Sequence, residues 1–185
     1  MTSAASACGK LCAPSLARTF LSVLGVFAAR ACSSAALCYY TSKMACPYFH
    51  AVKPRSQTDH SRSAMLPLGD AWEGECRAIP ELPCEPDQFT LLNHCNMGYA
   101  RGCCARFPAV DGPDAARFTI SADGPETVGV YYVLERDHRP WAHGPLEYSR
   151  AAGDFTGRPA DEGTLALARA YVASYLRRVA EASPR

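Results

Sequence analysis

With 185 residues, the chain has room for one compact domain and a tail, but not for two full domains. Hydrophobic residues at 48% and charged residues at 20% exclude wholesale disorder and a many-span membrane protein. A formal net charge of +1 shows no global bias toward nucleic acid, whereas ten cysteines far exceed ordinary usage and put thiol chemistry or metal ligation first.

Residues 1–43 contain no Asp or Glu but carry Lys10, Arg18, Arg30 and Lys43, so this Ala/Ser-rich segment has a charge of +4 and the remainder −3. That is the composition of a targeting segment. Its apolar stretch Thr19–Ala29 is shorter than the roughly 20 residues needed to cross a bilayer, so no integral membrane span is expected. Three readings stay open: translation starting at Met44, with a wrongly assigned start upstream, a secretory signal, or an organelle-type presequence. In each, residues 1–43 are set aside as leader and residues 44–185 form a single cysteine-motif α+β domain. Cys8, Cys12, Cys32 and Cys38 then leave the count, and Cys46, Cys76, Cys84, Cys95, Cys103 and Cys104 remain.

Residues 47–70 carry Pro47, Pro54, Pro67 and Gly69 among polar residues with no apolar period, and read as an irregular loop. Pro80, Pro83 and Pro86 forbid a long helix in the acidic stretch that follows. Asp87 can cap a short helix that turns Phe89, Leu92, Leu91 and Cys95 inward and stops at Gly98. Ala116–Ser121 and Thr127–Leu134 are rich in β-branched and aromatic residues around Asp123-Gly124-Pro125, the signature of a hairpin. Residues 136–145 read as a loop and Leu146–Ser149 as a short third strand. From Asp161 or Thr164 to about Ala182, an apolar stripe of Leu165, Ala168, Val172, Leu176 and Val179 predicts a helix. The expected fold class is therefore α+β: a small antiparallel sheet, hairpin plus short third strand, packed by a C-terminal helix, with a loop-rich cysteine-bearing N-terminal half.

Cysteines buried for packing usually occur singly, yet six fall within residues 46–104 among Pro, Gly and polar residues. Such clustering implies that they act together, in metal or cluster ligation, in a disulfide framework, or in redox chemistry. Zinc sites usually present thiolates in C-x2-4-C knuckles, and none is present. An iron–sulfur cluster accepts wider and unequal gaps, because its irons take thiolates from different directions. On one continuous helix Cys95 and Cys103 would stand about 12 Å apart. Gly98 and Gly102 allow the chain to turn back instead. A disulfide framework would need an oxidising compartment, and adjacent Cys103 and Cys104 would have to find different partners.

Met44-Ala-Cys-Pro-Tyr-Phe, Leu66-Pro-Leu-Gly-Asp-Ala-Trp, Cys95-Asn-Met-Gly-Tyr-Ala-Arg-Gly-Cys-Cys-Ala-Arg-Phe-Pro and Tyr132-Val-Leu-Glu-Arg-Asp-His-Arg-Pro resemble the motifs of an uncharacterised bacterial family of small cysteine-motif proteins, over about residues 44–150. The resemblance implies a start at Met44 and a ligand set of Cys46, Cys76, Cys95 and Cys103, with Cys84 and Cys104 as extras. It supplies no activity. Cys104 can stand in for Cys103, since sequence does not choose between neighbours.

His94, His138 and His143 are polar-loop histidines whose ordinary role is hydrogen bonding. No nucleophile elbow, H-E-x-x-H, Walker loop or G-x-G-x-x-G is present, so nothing in the sequence marks an enzyme. Tyr131-Tyr132 and the Tyr171/Tyr175 pair fit packing better than base stacking. Arg101, Arg106 and Arg117 place positive charge near the cysteines, a minor argument for nucleic acid set against the negative body. The leading expectation is a cytoplasmic protein holding an iron–sulfur cluster, or zinc, with a structural, electron-transfer or sensing role and an unknown protein partner. The alternatives are a secreted disulfide-stapled binding domain and, more weakly, a thiol oxidoreductase using Cys103 and Cys104.

Overall fold

The computed structural model of the chain describes residues 44–55, 66–157 and 160–182. The leader with its four cysteines, and the middle of the 47–70 segment with His60, lie outside the described residues.

The β-branched and aromatic stretch builds the larger sheet, from β3 (Ala115–Asp123), β4 (Thr127–Arg136), β5 (Arg139–Ser149) and β6 (Asp154–Phe155), antiparallel in the order β3-β4-β5-β6. Along β4 the alternation of a strand sends Val128, Val130, Tyr132 and Leu134 into the core. The hairpin between β3 and β4 falls where Gly124-Pro125 places it. The next connection differs from the expected loop. Asp137 and His138 both adopt left-handed backbone, with φ of 49° and 59°, which is the conformation of a two-residue hairpin turn. The chain reverses at once, and β5 begins at Arg139 rather than at Leu146. Its Pro140 and Pro145 are tolerated because β5 pairs on its outer side only with β6, through Tyr148 and Ser149.

A second, two-stranded antiparallel sheet joins β1 (Phe49–Pro54) to β2 (Trp72–Cys76), in a region expected to be irregular. Only Phe49 and Trp72 of these strands are fully buried, so no apolar alternation announces them. α1 (Gln88–Thr90) is capped by Asp87, whose carboxylate accepts from the Thr90 amide at 3.1 Å, and continues into a π turn over Leu91–Cys95. The wider turn changes the phase of the helix. Leu91 and Cys95 are buried, but Phe89, expected inside, is 67% exposed.

α2 (Glu162–Ala182) starts where Asp161 accepts from the Thr164 amide at 2.9 Å and from its hydroxyl at 2.6 Å. The buried face is wider than the expected stripe, taking in Leu167, Ala170 and Ser174, while Val179 is 38% exposed. Leu165, Leu167 and Val172 each contribute about 1.5–3 kcal/mol by leaving water. The helix packs chiefly on β1 and also reaches β3 and β6. Trp72 Nε1–H donates to Ser174 Oγ at 3.1 Å, Phe118 lies against Tyr171 with ring centroids 5.8 Å apart, and Tyr175 donates to Asp123 at 2.6 Å. One core thus serves both sheets, with Phe49, Trp72, Val130, Leu146 and Leu165 in the same cluster. Among the described residues no helix is long and apolar enough to cross a membrane.

His50, on β1, lies opposite Glu75 of β2. Burial holds its pKa below the ordinary value of 6.5, with the Arg77 charge acting in the same direction and Glu75 opposing. The unfolded chain therefore binds the proton first, and stability falls as the pH drops below about 6.5. An NMR titration should show the His50 ring with a midpoint below that of a free histidine. A midpoint at or above it would contradict the assignment.

Candidate metal centre

Four separate segments converge on one pocket, and each brings a cysteine. Cys46 sits between an isolated bridge, Ala45 with Ala116, and the start of β1, and its amide donates to Cys95 O at 2.9 Å. Cys76 ends β2, where it exchanges two backbone hydrogen bonds with Cys84, at 2.7 and 3.2 Å. Cys95 closes the π turn. Cys104 follows the turn at Gly102, its amide donating to Ala100 O at 2.8 Å.

Cys46, Cys76, Cys84, Cys95 and Cys104 all line this pocket, whose walls are otherwise almost wholly apolar. Cys103 does not line it and is exposed. Of the four residues named from the sequence, three are thus brought together, and the neighbour Cys104 takes the place of the fourth. The reason is local: the amides of Cys103 and Cys104 both donate to Ala100 O, so the chain curls tightly there and successive side chains leave it in different directions. Cys84, set aside as an extra in the sequence, is at the pocket as well. It is disulfide-bonded, and no two cysteines among the described residues bond to each other.

Burial pushes the Cys46 thiol up to about 12, and the nearby sulfurs of Cys76 and Cys104 add to the effect. The Cys95 thiol is raised further, by burial first and then by Cys46, Cys76 and Cys104. In the absence of a cation both are neutral thiols at neutral pH, and a metal that takes them as thiolates must displace their protons. Among the described residues, no three His, Cys, Asp or Glu side chains are grouped closely enough to hold a single metal ion. Tetrahedral zinc, with bonds of about 2.3 Å to sulfur, draws its thiolates into near contact. A cubane holds them further apart, one to each iron.

Two features that sequence reading missed keep these segments in place. Asn96, only 1% exposed, accepts the Trp72 amide on Oδ1 at 2.9 Å and donates through Nδ2 to Trp72 O at 3.0 Å and Leu91 O at 2.9 Å. It fastens the strand that ends in Cys76 to the turn that ends in Cys95. Gly98 has φ +65°, and a Cβ there would stand 3.0 Å from Met44 O, so the Cys95 segment can lie this close to the Cys46 segment only without a side chain.

Beyond Gly98, Tyr99 is itself left-handed at φ 50°, stacks on His138 at 4.2 Å between ring centroids and donates to buried Glu135 at 2.5 Å. Arg101 pairs with buried Asp114 and donates to Pro108 O at 3.1 Å and Gly112 O at 3.1 Å, its guanidinium 4.7 Å above the Phe107 ring. Phe107 in turn meets Tyr48 edge-on. Arg117 bridges to Glu135 at 3.3 Å, and Arg106 donates to Leu82 O at 2.7 Å. Arg101 and Arg117 are thus neutralised by carboxylates within the chain rather than presented as a phosphate-facing patch. His94 lines the pocket, whereas His138 lies against Tyr99 and His143 against Tyr131. Compared with family models, with curated proteins and with solved structures, the chain matches none.

Proposed function

We propose that this protein holds an iron–sulfur cluster on Cys46, Cys76, Cys95 and Cys104, in a reducing cytoplasmic setting, and that the cluster serves a structural, electron-transfer or sensing role. The observation that carries the reading is the convergence of these four thiols, from four separate segments, on one apolar pocket. Burial of this kind shields a cluster from water and oxidants. The absence, among the described residues, of any three ligands tight enough for one ion favours a polynuclear group over zinc. Such a cluster would also tie together a half of the molecule with little regular structure, where bound metal contributes folding free energy.

Anaerobic purification of the full chain, followed by a visible spectrum and assays for iron, sulfide and zinc, tests the proposal. Iron and sulfide in near-equal amounts with a brown colour are expected. One zinc in a colourless protein would replace the cluster by a structural zinc site. Protein with neither metal, whose denatured and unreduced form shows few reactive thiols, would favour a disulfide-stapled binding domain, a reading to which the disulfide at Cys84 lends support.

A further inference from the structure

Arg106 is placed unlike the other arginines around the pocket. It lines the pocket together with the cysteines, two residues beyond Cys104. One end of its guanidinium is fixed, with Nη2–H donating to Leu82 O at 2.7 Å. Its Nε, however, is buried without a hydrogen-bond partner, and among the described residues no carboxylate lies within salt-bridge distance. A buried N–H with nothing to donate to costs about 1–3 kcal/mol, and an uncompensated guanidinium beside an apolar cavity adds to that cost. Native structures keep such a group where a ligand completes it. The chemistry that would complete this one is a negatively charged acceptor in the pocket, and a cluster bound by four thiolates is both anionic and rich in sulfur acceptors.

Resting on the cluster reading above, we infer that Arg106 is a positioning and tuning residue for the bound cluster: its Nε–H donates to a sulfur of the cluster, and its charge stabilises the reduced form. Hydrogen bonds to sulfur and local charge are the protein's means of setting the potential of such a centre. Reduction here is the addition of one electron from dithionite to the cluster, which gains one unit of negative charge while Arg106 keeps its proton. The guanidinium therefore favours the reduced state more than the oxidised one.

A mediated dithionite titration of the anaerobically purified full chain, read by the loss of visible absorption, measures the midpoint potential. Arg106→Leu should retain iron and sulfide at the level of the parent and shift the midpoint to more negative values. Arg106→Lys, which keeps the charge but not the planar donor, should fall between the two. Iron retained in Arg106→Leu with an unchanged midpoint would overturn the assignment of Arg106 and leave the cluster intact. If Arg106→Leu fails to load iron, the lysine variant decides, since loaded protein at the parent midpoint has the same adverse meaning. A parent protein without iron would overturn the cluster and this inference with it.

Discussion

Cys104→Ser should abolish cluster loading, whereas Cys103→Ser should leave iron and sulfide unchanged. The two residues are adjacent and chemically identical, so composition, charge and chain position are controlled within the pair. Only Cys104 lines the pocket shared by Cys46, Cys76 and Cys95. Replacing a group that merely supports a ligand typically costs about 10–100-fold in metal affinity, so loss of a ligand should reduce iron per protein at least as far. Parallel iron assays on the two serine variants provide the measurement. Equal loss in both, or loss in Cys103→Ser alone, would show that the pocket is not the binding site.

Asn96→Ala should destabilise the protein by about 3 kcal/mol, because it leaves the Trp72 amide and carbonyl buried without partners. Leu91 O keeps a second donor in the Asn96 backbone amide at 3.0 Å, so it adds little to the loss. Asn96→Asp retains the oxygen that accepts from Trp72 but removes both Nδ2 donor bonds and puts a charge where the residue is 1% exposed, and it should be no milder than alanine. Urea denaturation of the purified proteins reads both, and a change below about 0.5 kcal/mol in Asn96→Ala would remove Asn96 from the supports of the site. Because Asn96 connects the strand of Cys76 to the turn of Cys95, its loss should also lower iron content, without any thiol having been touched.

How far the sequence announced these features depends on whether the signal was local. α2 was legible because Asp161 and Thr164 form its cap and an apolar face repeats over 21 residues. The first hairpin was legible from Gly124-Pro125 between β-rich runs. β1 and β2 were not, since each is short and only Phe49 and Trp72 are fully buried. β5 was read as a loop because its prolines look like breakers, and nothing in the sequence reveals that they lie along a mostly unpaired edge. The clustering of cysteines implied a common site, but not which of two neighbours turns inward. That choice is made by the curl onto Ala100 O, a contact invisible before the fold is known. Asn96 likewise reads as an ordinary turn residue until Trp72, 24 positions earlier, is brought beside it.

The long outer side of β5 has a further consequence, for the behaviour of the molecule in concentrated solution. β6 covers only its last two residues, so a run from Arg139 to Glu147 would offer another chain a row of backbone groups with which to extend the sheet. Pro140 and Pro145 break that row, since neither has an N–H, and the chain carries there the kind of interruption that keeps exposed strands from templating fibrils.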